Sequence, residues 1–173
     1  MLKSALSDMF NARIKRIIAF SSTSVFVKIY SGNKAERETV KALENAELHL
    51  AERCQKAGAS FTILRPTMVY GLGLDENITQ ISDFARRYHF FPVYPPADGR
   101  RMPVHADDLA QMALKVVTNT KTYNKSYNIG GGEVLGYRAM LERIFLALGQ
   151  SPRPIKFKLL PSILDFMGTW FFQ

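Results

Sequence analysis

An apolar strand, a long charged helix and a second apolar strand follow one another in this chain, and this succession constrains the fold more than any other feature. The segments Arg16–Ser21 and Ser60–Leu64 are short and apolar, as strands buried on both faces of a sheet are. Between them, Lys34–Lys56 carries apolar residues at helical spacing and ends before Gly58. This order of elements predicts a right-handed crossover unit of a parallel sheet.

Composition and charge describe a globular chain with a basic surface. Its 173 residues, 47% of them hydrophobic and 22% charged, can bury one ordinary core. The net charge of +8 suits nucleic acid, an anionic membrane surface or a phosphorylated small molecule. The basic residues are not interleaved with aromatic residues as in proteins that bind single strands, so we expect no nucleic-acid partner.

Cysteine usage and hydropathy bear on location. Cys54 is the only cysteine, so an internal disulfide is excluded, and no spacing typical of metal ligands occurs. The sequence shows no basic-then-apolar leader, and no apolar run approaches the ~20 residues that span a bilayer. We therefore expect a cytoplasmic protein without a bound metal or a membrane partner, although the C-terminal segment Pro161–Gln173 is apolar.

Four segments form a recognisable pattern together. They are Phe20–Thr23, Phe61–Gly71 with its Leu-Arg-Pro and Val-Tyr-Gly, Arg101–Ala110, and Tyr127–Gly131. By their order and spacing the chain resembles the extended short-chain dehydrogenase/reductase family, which contains the nucleotide-sugar epimerases and dehydratases. The resemblance implies an α/β fold in which residues 1–75 form the second half of a Rossmann-like parallel sheet. Residues 76–173 then form a small α+β substrate-binding part, packed with the first as one unit.

The resemblance also implies an activity and its residues. The expected function is that of an NAD- or NADP-dependent epimerase, dehydratase or reductase acting on a nucleotide sugar. Thr23 matches the residue that hydrogen-bonds the sugar hydroxyl being oxidised, and it follows a strand at the edge where parallel sheets place ligands. The positions that match the cofactor-binding residues are Ser21, Ser22, Pro66, Thr67 and Val69.

Two further positions match residues that contact the nucleotide diphosphate. Arg101 stands four residues before His105, and Asn77 opens the helix that follows the Val-Tyr-Gly loop. An arginine suits this task because its planar fork donates two parallel charge-assisted hydrogen bonds to phosphate oxygens. We expect Asn77 and Arg101 to bind the substrate.

Tyr30 and Lys34 have the Tyr-x-x-x-Lys pattern that the family uses for catalysis. Residues four apart share one face of a helix, where an ammonium group stabilises a phenolate. Counting back from Arg65, however, places the family's tyrosine near Thr39 and its lysine at Leu43, and the intervening Ser-Gly-Asn favours a turn. We interpret the pattern as a chance occurrence rather than the catalytic pair.

A glycine-rich fingerprint for a dinucleotide is missing. Neither G-x-G-x-x-G nor G-x-x-G-x-x-G occurs, and Gly130–Gly132 is better interpreted as a turn. In doubly wound folds the pyrophosphate rests on such a fingerprint after the first strand. We therefore expect a chain that lacks the cofactor-binding half, either as a fragment or because another polypeptide supplies that half, and that binds no dinucleotide tightly alone.

Two other classes of function stay open. A non-catalytic nucleotide-binding or sensor protein on the same scaffold is favoured by the misplaced Tyr-x-x-x-Lys. A membrane-peripheral or assembly subunit is favoured by the basic segment Pro152–Lys158, which runs toward Trp170, Phe171 and Phe172. A homodimer is compatible with each of them.

Overall fold

The computed structural model describes residues 8–93, 97–152 and 154–156, and the chain divides into two compact units. The first unit contains the described residues up to Thr67 together with Asp107–Gly130. The second contains Met68–Ala106 and the described residues from Gly131 onward. Each unit has its own cluster of buried apolar side chains.

The elements are short except for one helix. The strands are β1 (Arg16–Phe20), β2 (Ser60–Pro66), β3 (Met68–Tyr70), β4 (Phe91–Val93), β5 (Arg100–Arg101), β6 (Pro103–His105), β7 (Lys125–Ile129), β8 (Leu135–Gly136) and β9 (Pro154–Lys156). The helices that follow β1 are α1 (Ser24–Val27), α2 (Lys34–Ala57), α3 (Ile78–Tyr88), α4 (Ala106–Val117) and α5 (Tyr137–Ala147).

Three parallel strands form the sheet of the first unit, in the order β1, β2 and β7. Strand β2 pairs with β1 from Ser60 to Leu64, and with β7 from Thr62 to Pro66. The predicted strand, helix and parallel strand are thereby confirmed. Because the carboxyl ends of parallel strands meet at one edge of a sheet, the residues that follow Phe20 and Pro66 lie at the same edge.

Helix α2 connects β1 to β2 and is delimited as its sequence predicts. Asn33 caps its start by accepting a hydrogen bond from the Ala35 amide at 2.9 Å. Gly58 ends it in the left-handed conformation, with φ +58°, which glycine adopts at little cost. The apolar face of the helix buries Leu50 and Cys54 against the sheet, in a cluster with Ile17, Ala59 and Ile63.

Helix α4 begins earlier than expected. In the sequence, the carboxylate of Asp107 just before the apolar residues of Leu109–Val117 predicts a helix over that range with Asp107 as its N-cap. This prediction is wrong, because α4 begins at Ala106 and Asp107 lies in its first turn. A carboxylate in the first turn still interacts favourably with the helix dipole. The sequence therefore contained the stabilising charge, and only its position relative to the helix start was misjudged.

The second unit packs α3 against α5. Its buried cluster consists of Ile81, Ala85, Phe91, Val93, Met140, Leu141, Ile144 and Phe145. Three strand pairs flank these helices: β3 with β6 and β4 with β9, both parallel, and β5 with β8, antiparallel. A Cβ at Gly131 would lie 1.8 Å from the Pro103 carbonyl oxygen, so only glycine allows this approach of the two backbones.

Candidate functional site

The carboxyl edge of the sheet in the first unit brings several of the expected site residues together. The Ser21 amide donates to the Leu64 carbonyl at 2.8 Å, and the Thr23 amide donates to the Pro66 carbonyl at 3.0 Å. The Thr23 hydroxyl also lies 3.3 Å from the Pro66 oxygen. The loop after β1 is therefore tied to the end of β2, and its hydroxyl groups stand where this sheet presents residues to a ligand.

The other cofactor positions are placed by backbone contacts. The Ser22 hydroxyl accepts from the Ser24 amide at 3.1 Å, which starts the short helix α1. The Thr67 amide donates to the Ile129 carbonyl at 2.9 Å and so continues the β2–β7 ladder. Val69 belongs to the second unit, where it is half-buried in the middle of β3.

An ion pair that the sequence reasoning missed lies at this same edge. Arg65 donates from Nε to Glu47 at 2.9 Å and from Nη2 to the other carboxylate oxygen, and only 20% and 13% of the two side chains are exposed. The guanidinium also lies over the Phe26 ring, 5.2 Å from its centroid. A charged residue at the end of an otherwise apolar strand was the signal that such a partner exists.

The pair is ionised in the folded protein. The hydrogen bond from Arg65 lowers the pKa of Glu47, more than burial raises it, and the hydrogen bond to Glu47 raises the pKa of Arg65. A carboxylate held in this way is a poor proton donor at neutral pH. The arrangement therefore suits a structural clamp between α2 and β2 rather than acid–base chemistry.

Arg16 holds the opposite, amino-terminal end of the same sheet. Its Nη2 donates to Thr62 Oγ1 at 2.6 Å, to Thr122 Oγ1 at 3.1 Å and to the Val116 carbonyl at 2.9 Å. The guanidinium lies 4.1 Å from the centroid of the Tyr123 ring. Desolvation by burial lowers the pKa of Arg16. These contacts join the end of α4 to the sheet, so we assign Arg16 a structural role.

In the second unit, the start of α3 has its own carboxylate. Asp75 accepts from the amides of Asn77 at 3.1 Å and Thr79 at 3.0 Å, and from the Thr79 hydroxyl at 2.6 Å. Burial raises the pKa of Asp75, but the hydrogen bonds from Thr79 and the neighbouring amides outweigh it and lower that pKa. Asn77 occupies the N-cap position and makes no side-chain cap hydrogen bond. Asp75 does the capping, which leaves the Asn77 amide group for another role.

Arg101 differs from the arginines of the first unit. It lies in β5 opposite Leu135, its side chain is exposed, and Nη1 donates to the Arg100 carbonyl at 3.0 Å. The guanidinium carbon stands 5.7 Å from the centroid of the Tyr137 ring. Within the described part of the chain, Arg101 takes part in no salt bridge. Its charge is therefore not neutralised by a described carboxylate.

The Tyr-x-x-x-Lys pattern does not lie on one helix. Tyr30 is in the turn before α2, with 90% of it exposed, and Lys34 is the first residue of the helix. The Lys34 ammonium is 3.7 Å from Glu38, and 82% of its side chain is exposed. The four-residue helical spacing that would bring a phenol and an ammonium together does not apply to these two residues.

Across residues 8–93, 97–152 and 154–156, no three histidine, cysteine, aspartate or glutamate side chains are grouped as metal ligands are. In the same residues, no helix combines the length and the apolar character needed to cross a bilayer. Of the C-terminal segments that favoured a membrane-peripheral subunit, Pro161–Gln173 lies outside the described residues, and the described part of Pro152–Lys158 is Pro152 and β9 (Pro154–Lys156).

Comparison with known proteins gives a family and a fold. A model of the NAD dependent epimerase/dehydratase family matches residues 4–130. The uncharacterized protein y4nG of Sinorhizobium fredii is 27% identical over 136 residues, which make up 75% of this chain and 34% of that protein.

Solved structures similar to the chain include three sugar-nucleotide epimerases. UDP-glucose 4-epimerase of Thermus thermophilus, in complex with NAD, gives a TM-score of 0.72 at 18% identity, over 98% of this chain and 62% of that one. The Thermotoga maritima UDP-glucose 4-epimerase with UDP-glucose gives a TM-score of 0.74 at 18% identity, over 92% of this chain and 56% of that one. UDP-N-acetylglucosamine 4-epimerase of Methanobrevibacter ruminantium gives a TM-score of 0.76 at 18% identity, over 92% of this chain and 55% of that one.

These likenesses confirm the predicted Rossmann-like α/β fold with a parallel sheet. At identities of 18% they concern the fold alone. The chain spans a third of the curated relative, at 34%, and little more than half of these structures, at 55% to 62%.

Proposed function

Because the chain belongs to the NAD-dependent epimerase/dehydratase family, we propose that it is part of an enzyme that acts on a nucleotide sugar. The reaction class is epimerisation, dehydration or reduction, and NAD or NADP supplies the acceptor and donor of the hydride when it is bound. Support comes from the fold, which the chain has in common with epimerases whose structures contain UDP-glucose or NAD. A cytoplasmic location and a homodimer are part of the same proposal.

One observation carries the proposal, the link between the loop after β1 and the end of β2. Thr23 and Pro66 are joined by the amide and the hydroxyl of Thr23 at the ligand edge of the parallel sheet. In the proposed site, Thr23 orients the reacting sugar hydroxyl, because its oxygen accepts a hydrogen bond while its proton points to Pro66. The backbone of Pro66 and Thr67 lines the nicotinamide side, with Ser21 and Ser22 at its rim, and for Val69 the contact with the cofactor is proposed on the resemblance alone.

The described residues suit one end of the cofactor only. Hydroxyl and backbone groups at the sheet edge fit a polar ring such as nicotinamide, whereas the sequence contains no glycine-rich turn for the pyrophosphate. We therefore propose that residues outside this sequence hold the adenosine and pyrophosphate. The chain itself then contributes the nicotinamide side and the substrate part.

Substrate binding is assigned to residues 76–173. Asn77 has an amide group that capping leaves unused, and Arg101 has a fork without a described carboxylate. Together they offer neutral and cationic donors, as a diphosphate requires. Binding of the diphosphate by these groups then holds the nucleotide part of the substrate.

Calorimetric titration of the 173-residue chain tests this division. UDP-glucose is expected to bind in the millimolar range, about −4 kcal/mol, while NAD and NADP show no binding at micromolar concentration. Micromolar binding of NAD would mean that the cofactor site has been misplaced. Failure of UDP-glucose to bind at about 10 mM would remove the nucleotide sugar from the proposal.

A second candidate is a non-catalytic nucleotide-binding protein on the same scaffold. The exposure of Tyr30, and Thr39 and Leu43 at the positions where the resemblance expects tyrosine and lysine, favour it. The two candidates differ in turnover. The test is a protein that unites this chain with a glycine-rich half. If the enzyme proposal holds, this protein reduces NAD in the presence of a nucleotide sugar, and if the chain is non-catalytic, it binds both without reaction.

A further inference from the structure

The Arg101 side chain rests on a surface formed by its own neighbourhood. Its guanidinium lies over the Tyr137 ring, at 5.7 Å, and Nη1 is held by the Arg100 carbonyl at 3.0 Å. The Tyr137 amide in turn donates to the Gly99 carbonyl at 2.9 Å, which joins the start of α5 to the residue two positions before Arg101. We call Gly99, the Arg100 carbonyl and Tyr137 the Arg101 shelf.

Gly99 leaves the space that the guanidinium fills. A Cβ built on Gly99 would lie 2.9 Å from Arg101 Nη1 and 3.6 Å from Cζ. The backbone of Gly99 is not in the left-handed region, so alanine is tolerated there conformationally. An added methyl group therefore meets the guanidinium first, and the flexible end of the arginine has to move.

Tyr137 contributes a ring with a fixed position. Burial raises the pKa of Tyr137, so the phenol is neutral at physiological pH, and the side chain packs against the buried cluster of the second unit. A ring held in this way keeps a cation over its face without losing rotamer entropy of its own. Arginine suits the position better than lysine, because a planar guanidinium stacks on a ring.

We propose that the Arg101 shelf is a positioning device, in which Gly99 and Tyr137 hold the Arg101 guanidinium ready to bind a nucleotide diphosphate. Ordering a long arginine side chain on ligand binding costs affinity, and a side chain that is already ordered avoids most of that cost. The proposal rests on the diphosphate role of Arg101 given above. It adds two residues that touch the arginine and not the ligand.

Gly99→Ala tests the shelf most sharply. The variant is expected to bind UDP about two- to tenfold more weakly than the wild type in calorimetric titration, because the guanidinium is displaced. Its melting temperature is expected to stay the same or rise, since alanine restricts the unfolded chain. Gly132→Ala is the matched control, because its Cβ meets nothing within 4 Å. Wild-type affinity in Gly99→Ala would overturn the proposal.

Tyr137 variants separate the ring from the hydroxyl. Tyr137→Phe keeps the face and is expected to bind UDP within about twofold of the wild type, whereas Tyr137→Leu is expected to bind about two- to fivefold more weakly. In an Arg101→Ala background, neither Gly99→Ala nor Tyr137→Leu should weaken binding further. Additive losses in that background would mean that these residues act without Arg101 and would contradict the shelf.

The same titrations separate the two proposals from each other. If Arg101→Ala binds UDP as tightly as the wild type, the diphosphate role fails and the shelf fails with it. If Arg101→Ala loses affinity and Gly99→Ala does not, only the shelf fails. A readout without ligand is the NMR signal of Arg101 Nε–H, which Tyr137→Leu should shift by removing the ring current; an unchanged signal would also overturn the shelf.

Discussion

Two arginines of the first unit, Arg16 and Arg65, and one of the second, Arg101, are used in opposite ways. In the first unit, Arg16 and Arg65 are turned inward and bind hydroxyls, carbonyls and a carboxylate. In the second, Arg101 is exposed on a short strand and rests on a tyrosine ring. A guanidinium whose donors are taken by the protein holds elements together, whereas one that is ordered but unneutralised is suited to an anionic ligand.

The contrast shows why a charged residue alone says little about function. All three arginines belong to a chain with a net charge of +8, which by itself suits several anionic partners. What separates them is the supply of acceptors within reach. The comparison therefore predicts that substitution of Arg16, or of the Arg65 partner Glu47, lowers stability, and that substitution of Arg101 lowers affinity for a diphosphate.

The largest expected effect is at Arg16. Arg16→Met should lower the free energy of unfolding by about 3 kcal/mol, because the Thr62 and Thr122 hydroxyls and the last carbonyls of α4 lose a charged donor. Urea denaturation measures it. The control is Lys15→Met, an exposed neighbour expected to change stability by less than about 0.5 kcal/mol. If Arg16→Met and Lys15→Met lowered the free energy of unfolding equally, Arg16 would not have the structural role assigned to it.

The next effect is at Glu47 and depends on pH. Glu47→Gln should destabilise the protein by about 2 kcal/mol at pH 7, since it leaves Arg65 without its charged partner in a largely buried place.

The pH dependence follows from the direction of the pKa shift. The pKa of Glu47 is lowered on folding, from an ordinary value of 4.5, so its contribution is complete above that value and is lost as pH falls through the lowered pKa. The melting temperatures of wild type and Glu47→Gln should therefore converge as the pH falls through that lowered pKa. Glu52→Gln, an exposed change in the same helix, is the control. If the plots of melting temperature against pH for wild type and Glu47→Gln stayed parallel in acid, the structural clamp between Glu47 and Arg65 would be contradicted.

Arg101→Ala should lower the affinity for a diphosphate rather than the stability, the reverse of the substitutions at Arg16 and Glu47. A charge-assisted contact of roughly 1.5 to 3 kcal/mol is lost, so the Kd for UDP should rise about tenfold or more while the melting temperature changes little. Arg101→Lys should recover part of the affinity, because a point charge cannot reproduce the fork. Arg100→Ala is the matched comparison, since Arg100 lies opposite Gly136, one position along the strand. Equal losses at both positions would indicate bulk charge steering.

The smallest expected effect is at Tyr30. In a catalytically active protein that contains this chain, Tyr30→Phe should leave kcat within about threefold, because Tyr30 is exposed in a turn. Steady-state kinetics with a nucleotide sugar measure it. A loss of ~10² to 10⁴, as expected for a general acid or base, would restore Tyr30 and Lys34 as the catalytic pair.

Periodicity and turn residues predicted the backbone of the first unit well. Two short apolar runs on either side of a segment with apolar residues at helical spacing located β1, α2 and β2, and Gly58 marked the end of the helix. Such local signals are enough to locate helices and strands, because the pattern of apolar residues in each element indicates which of its faces is buried.

Side-chain partners were not predictable in the same way. Glu47 and Arg65 are 18 residues apart, on a helix and a strand, and they meet only because of how α2 is rotated on the sheet. Tyr137 and Arg101 meet only through the register of β5 with β8. Rotation and register arise from packing, which a sequence pattern leaves undetermined. For the same reason the expected site positions rest on the resemblance, and the residues that contact Arg101 were not expected.

The most direct test of the contrast between the units is an NMR titration of the arginine Nε–H signals with UDP. The Arg101 signal should move in proportion to saturation, together with the side-chain amide of Asn77, while the signals of Arg16 and Arg65 stay in place because their donors are already bound. Movement of the Arg65 or Arg16 signal with an unmoved Arg101 signal would contradict the account.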